Sequence, residues 1–146
     1  MTIVVDSNVL VALVIPIDYS EQASDKMDSW LAADADLVSP AFWSYEAVSA
    51  IRKYVASGKL TGEEARYAVS NLTDLGIREV PATRELHHKA LTWAERLQDF
   101  VAYDPAYLAL AEALEVDFWS ADSKLVRKVK ALGIGWVHDI IESPEA

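Results

Sequence analysis

Thr2-Ile3-Val4-Val5-Asp6 decides the fold class of this chain. Three successive β-branched apolar residues leave no face for solvent, the pattern of a central strand covered on both sides in a parallel sheet. Outward from it, short β-branched or aromatic runs alternate with longer helical patterns, the signature of βαβ units. Further strands are predicted near Leu37-Val38, over Ile77 to Val80, over Asp117 to Trp119 and over Gly135 to Val137. Between them, Pro40 is expected to open a helix that ends near Gly58. Thr61-Gly62-Glu63-Glu64 reads as a capping box for the next, which Gly76 closes. Thr83 to Leu97, Asp104 to Leu114 and Asp122 to Leu132 follow as helices, with Gly133 as a stop. The expectation is one α/β domain over residues 1–146, a central parallel β-sheet flanked by α-helices, with Glu142 to Ala146 as a frayed tail.

At 146 residues and 52% apolar content, the chain suits one domain with a sizeable core. It has no cysteine, which excludes disulfides, thiolate zinc sites and cysteine nucleophiles and fits a reducing compartment, with the cytoplasm as default. The longest apolar stretch, Val9 to Ile17, is far shorter than a bilayer span and has no basic leader, so no membrane role is expected. The formal charge of −10 is awkward for binding nucleic acid, where phosphate contacts draw on Lys and Arg.

Four acids stand where the chain changes direction. Asp6 follows the first strand, Glu46 lies in Pro40-Ala41-Phe42-Trp43-Ser44-Tyr45-Glu46, Asp104 precedes Pro105, and Asp122 follows Phe118-Trp119-Ser120-Ala121. Asp6 and Asp122 fall at or just past the carboxyl ends of predicted parallel strands, where open α/β sheets bind ligands. Taken singly, Asp6, Asp104 and Asp122 read better as helix caps, whereas the four acids taken jointly point to a shared metal site. Glu46, about two turns into its helix and bordered by Phe42, Trp43, Ala47, Ala50 and Ile51, has no cation one turn away to explain it. Two unpaired charges about 4 Å apart repel by about 4 kcal/mol at an effective dielectric of 20, a cost that a divalent cation removes. Hard oxygen ligands of this kind suit Mg²⁺ or Mn²⁺.

Val4-Val5-Asp6-Ser7-Asn8-Val9-Leu10, Glu46 in a Tyr-Glu-Ala-Val helix, Ala102-Tyr103-Asp104-Pro105-Ala106-Tyr107-Leu108-Ala109-Leu110-Ala111 and Ser120-Ala121-Asp122 together resemble a PIN domain. Their order is similar to that of the VapC-type toxin ribonucleases of toxin–antitoxin modules. The resemblance implies a PIN-like fold, Mg²⁺ or Mn²⁺ in an acidic pocket, and hydrolysis of RNA phosphodiester bonds. Asp6, Glu46, Asp104 and Asp122 are then the acidic constellation and the metal ligands. Ser120 matches the hydroxyl two places before the last acid, and Ser7 or Asn8 orients the first. Pro105 stands where the family often has Ala. A cognate antitoxin and a homodimer are the implied partners, seated on apolar surface of the amphipathic segment from Val9 to Trp30; taken singly, Val11, Val14, Ile15, Met27, Trp30 and Leu31 read better as core.

For RNA, the dense basic segment Lys124, Arg127, Lys128 and Lys130 is a candidate phosphate rail, or equally a solvated helix face, with Arg52 and Lys53 a weaker second. Trp43, Tyr45, Trp93, Tyr103, Tyr107, Phe118 and Trp119 are candidate base-stacking or core residues, with Tyr103 and Trp43 nearest the acids. His87, His88 and His138 form no ligand pattern, and five glycines leave little room for a phosphate-cradling loop, so nucleotide cofactors are not expected. A PIN-like module that binds without cutting, and a phosphatase or DNA nuclease using similar acids, stay open beside the ribonuclease.

Overall fold

The computed structural model describes residues 1–142, so the tail expected over Glu142 to Ala146 lies almost wholly outside the described residues. In chain order these form β1 (Thr2–Val5), α1 (Ser7–Val11), α2 (Ser20–Ala32), β2 (Asp36–Pro40), α3 (Trp43–Ala56), α4 (Gly62–Thr73), β3 (Arg78–Val80), α5 (Arg84–Leu97), α6 (Tyr103–Leu114), β4 (Asp117–Ser120), α7 (Ser123–Lys130) and β5 (Val137–Asp139). The sheet order is β3-β2-β1-β4-β5, parallel throughout. Val4 stands opposite Val38 on one side and Phe118 on the other. β1 is therefore the central strand that its unbroken apolarity predicts, with Val4 and Val5 fully buried.

This order fixes where a site forms. From β1 the chain moves outward through β2 to β3, then returns to add β4 and β5 on the other side of β1. The direction of winding reverses between β1 and β4, and at such a switch point the loops leaving the two strands diverge and open a crevice at their carboxyl ends. Asp6 and Ser120 stand at those ends.

Several boundaries differ from the sequence reading. Pro40 does not open a helix: it is the last residue of β2, opposite Val80, and the neighbouring Ala41 amide donates to the Val80 carbonyl at 3.2 Å. Proline is tolerated at a strand end, where its missing N–H interrupts no further ladder. The helix starts instead at Trp43, which puts Glu46 in its first turn rather than two turns in. β5 runs later than Gly135 to Val137, because Val137, His138 and Asp139 are the residues that stand opposite Phe118, Trp119 and Ser120 of β4. The segment from Val9 to Trp30 spans the end of α1 and most of α2. Pro16 breaks it, and Ser20 pins the break by donating to the Ile15 carbonyl and accepting from the Ile17 amide, both at 2.9 Å.

That segment also fails to supply the expected apolar surface. Val11, Ile15, Met27 and Trp30 are buried within the chain's own core, Val14 is half-buried, and Leu31 is exposed. The core runs through both sides of the sheet, with Trp93, Tyr107, Phe118, Leu10 and Leu108 among the fully buried side chains. α6 packs against β1, β2 and β4, which brings Asp104 to the same end of the sheet as Asp6.

The capping box forms as read: the Glu64 amide donates to Thr61 Oγ1 at 3.1 Å, and the Thr61 amide donates to Glu64 Oε1 at 2.9 Å. Thr61→Ala is expected to lower stability by about 1 kcal/mol. Urea denaturation reads the loss, and a midpoint equal to that of the parent would show that the cap does not hold α4.

Candidate functional site

The end of β1 is tied to the end of β4 before any side chain acts. The Asp6 amide donates to the Trp119 carbonyl at 2.9 Å, which draws Asp6 beside Ser120. Asp6 Oδ2 accepts the Ser120 hydroxyl at 2.9 Å, and Oδ1 accepts the Asn8 amide at 3.4 Å as the cap of α1. Asn8 donates through Nδ2 to Ser120 Oγ at 3.3 Å and accepts the Ala121 amide at 2.9 Å. Ser120 Oγ in turn accepts the Asp122 amide at 3.0 Å. One polar network thus links Asp6, Asn8, Ser120 and the start of α7, where Asp122 Oδ1 accepts the Leu125 amide at 3.0 Å.

Glu46 reaches this network from α3. Its Oε1 accepts the Tyr107 hydroxyl at 2.8 Å and the Ser7 hydroxyl at 3.4 Å. Tyr107 comes from α6, and its oxygen also accepts the Ser7 amide at 3.3 Å. Asp104 is the second residue of α6, whose cap position Ala102 makes no side-chain bond, so a capping role does not explain Asp104. Asp6 and Asp122 do cap their helices; Asp6 uses its second oxygen on Ser120, whereas Asp122 Oδ2 accepts no hydrogen bond among the described residues.

The four carboxylates feel one another. Burial first, then repulsion from Asp104 and Glu46, pushes Asp6 up to about 7 from 3.8, against the Ser120 and Asn8 hydrogen bonds that lower it. Asp104 rises to about 6 through burial and then through Asp122, Glu46 and Asp99. Burial also raises Glu46, opposed by the Tyr107 and Ser7 hydrogen bonds. None of the four makes an ion pair among the described residues; the pairs present use Asp36, Glu112, Glu142, Asp99 and Asp117.

As placed, however, no three acidic or histidine side chains among the described residues converge closely enough to hold one ion. Each of three carboxylates is turned on a protein donor: Asp6 on Ser120, Glu46 on Tyr107 and Asp122 on the α7 amide. Repulsion between like charges favours such a spread arrangement. The donor set, all hard oxygen and without a neutralising cation, nevertheless fits Mg²⁺ or Mn²⁺.

Of the basic residues on α7, Lys124, Arg127, Lys128 and Lys130 are all exposed. Arg127 pairs with Glu142 at 2.9 Å and Lys128 with Asp99 at 3.8 Å. Trp43, Trp93, Tyr107 and Phe118 are core residues, which removes Trp43 as a stacking platform for bases. Tyr103 stays exposed, edge-on to Phe42 at 5.4 Å. Two participants escaped the sequence reading: Tyr107 as the partner of Glu46, and Asp99 as a further negative neighbour of Asp104. Tyr107 carried a signal, since it stands three residues after Asp104 on one helix face and a buried tyrosine hydroxyl needs a partner.

The described helices include none long and apolar enough to cross a membrane. Solved structures with a similar fold include a toxin–antitoxin complex from Klebsiella pneumoniae, at 14% identity and a TM-score of 0.67 over 96% of this chain and 98% of that one. VapBC-1 from nontypeable Haemophilus influenzae is similar at 13% identity and a TM-score of 0.64, over 97% of this chain and 100% of that one. Mycobacterium tuberculosis VapC20, described as a sarcin-ricin loop cleaving toxin, is similar at 16% identity and a TM-score of 0.65, over 93% and 98%. At these identities the likeness is one of fold. A search of curated proteins gives no match. The family model of the PIN domain matches residues 3–131, a span that takes in Asp6, Glu46, Asp104 and Asp122, and the chain belongs to the PIN domain family.

Proposed function

We propose that this PIN domain, a single domain over residues 1–146, is a metal-dependent endoribonuclease and the toxin component of a toxin–antitoxin module. One observation carries the reading: Asp6, Glu46, Asp104 and Asp122 come from four elements to the switch point of the sheet, where burial and the neighbouring carboxylates push Asp6 and Asp104 up, and no described cation pairs with any of the four. Buried like charges are costly, and functional sites are where folds tolerate them. The toxins of similar fold, one of them an RNA-loop cleaver by its description, support the substrate class.

Asp6, Glu46, Asp104 and Asp122 would hold the metal. When bound, Mg²⁺ or Mn²⁺ supplies positive charge for the phosphoryl oxygens and a more acidic water. The protein's own groups do the positioning. Ser120 and Asn8 hold Asp6, while Tyr107 and Ser7 hold Glu46, which restricts how far these two carboxylates must turn to meet a cation. Lys124 and Lys130, the α7 cations without an ion pair among the described residues, are the phosphate contacts favoured by this reading, ahead of Arg127 and Lys128. Exposed Leu91, Val101 and Tyr103, beside an apolar cavity of 770 Å³ between α5 and α6, support a protein partner, an antitoxin or a second copy in a homodimer.

Purified protein incubated with total cellular RNA is expected to cut at discrete positions in Mg²⁺ or Mn²⁺ and to stop in EDTA. Single-nucleotide mapping of the 5′ ends reads the result, and persistent cutting in EDTA would contradict metal dependence. A second reading, a PIN-like module that binds protein or RNA without cutting, draws on the absence of three converging acids among the described residues. It predicts intact RNA under all of these conditions.

A further inference from the structure

We infer that Tyr107 is a positioning residue that makes Glu46 a single-oxygen ligand, which deepens the proposed function and rests on its metal site. The Tyr107 ring is fully buried, stacked on Phe118 at 5.7 Å and edge-on to Phe42 at 5.6 Å, so the ring has one place to be. Its hydroxyl is saturated: it accepts the Ser7 amide at 3.3 Å and donates its one proton to Glu46 Oε1 at 2.8 Å. The Ser7 hydroxyl lies 3.4 Å from the same oxygen and 3.5 Å from Asp6 Oδ1, sharing its one proton between them. Both donors to Glu46 therefore converge on Oε1, and Oε2 accepts no hydrogen bond among the described residues.

The consequence is geometric. A carboxylate free to rotate can offer a cation one oxygen or two, and Mg²⁺ prefers single oxygens in a near-octahedral set. With Oε1 held by a rigid buried phenol, Glu46 is left with Oε2 alone to offer a cation. The same phenol grips the Ser7 amide, next to Asp6, so it fixes the spacing between the ends of α3 and β1. Tyr107 thereby connects α6, which carries Asp104, to two of the other acids.

Calorimetric titration of Mn²⁺ into the parent, Tyr107→Phe, Glu46→Gln and the double variant tests this, with circular dichroism confirming the fold of each. Partners that orient a ligand typically contribute about 10–100-fold in metal affinity, and Tyr107→Phe is expected to weaken Mn²⁺ by roughly tenfold. In the Glu46→Gln background the same change is expected to have a clearly smaller effect, because the oxygen it holds is no longer a charged ligand and only the Ser7 amide contact is left to lose. Equal losses in both backgrounds would reveal a packing role and overturn the inference, as would unchanged affinity in Tyr107→Phe. If Tyr107→Phe does not fold, Ser7→Ala removes the weaker donor to Oε1 while leaving the core ring in place. It is then expected to weaken Mn²⁺ more in the parent than in Glu46→Gln, where only its 3.5 Å contact with Asp6 Oδ1 is left to lose, and loss of that difference overturns the inference. A parent protein that binds no Mn²⁺ overturns the metal site itself and this inference with it, whereas binding by the parent with no response to either variant overturns the inference alone.

Discussion

Asp6→Asn is expected to abolish RNA cleavage and, in the same protein, to raise the stability of the metal-free fold near pH 8. Asp6 is buried and pushed up to about 7 from 3.8 by burial, Asp104 and Glu46. Above that value it folds as a charge in an unfavourable place, and a shift of this size corresponds to about 4 kcal/mol. Asn removes the charge at nearly constant shape but gives back part of the gain. Ser120 Oγ already accepts the Asp122 amide and Asn8 Nδ2, so the new amide finds no free acceptor there. A net gain of about 1–3 kcal/mol is expected, or a Tm higher by roughly 3–10 °C. Cleavage should fall by more than about 100-fold, beyond what loss of a partner outside the ligand set costs. Calorimetric melting and a gel assay of the same preparation read both effects. A variant that is less stable and still active would assign Asp6 to capping α1 alone.

The pH dependence of stability should carry the same signature. The unfolded chain releases the Asp6 and Asp104 protons near the ordinary value of 3.8, whereas the folded chain holds them to about 7 and about 6. Between those limits the folded state binds more protons, so these two groups favour folding at low pH and their contribution is lost as pH rises toward 7. The Tm difference between the parent and Asp6→Asn isolates the Asp6 share from every other titration. It should be small near pH 5 and grow in favour of the variant up to about pH 8. Mn²⁺ should act in the opposite sense, adding about 2.7 kcal/mol to the parent at one hundred times its Kd above pH 7 and much less near pH 5, where protons occupy the acids. A Tm difference that is flat with pH would show that Asp6 folds as an ordinary carboxylate.

The central strand and the capped helices were readable because their signals are local. Ile3-Val4-Val5 needs two covered faces wherever it lies, and Thr61 meets Glu64 within one turn. The misplacements were set by tertiary contacts. Pro40 can open a helix or close a strand with equal local ease, and only pairing with β3 decided for the strand. The apolar residues from Val11 to Trp30 read singly as core, which most of them are, and it was the family resemblance that pointed to an interface there. The four acids could be picked out by position, but their surroundings could not. The Tyr107 bond to Glu46 spans 61 residues and depends on how α3 and α6 pack on the sheet. Likewise, only the fold shows that Asp104 leaves its helix uncapped while Asp6 and Asp122 cap theirs.

Anomalous scattering from a crystal of this protein soaked in Mn²⁺ tests most directly whether the four acids form a cation site. The predicted result is a peak in the crevice between β1 and β4, with oxygens of Asp6 and at least two of Glu46, Asp104 and Asp122 within about 2.5 Å, and Glu46 contributing Oε2 alone. A soaked crystal with no peak there, or with Mn²⁺ bound only at acids elsewhere on the surface, would contradict it.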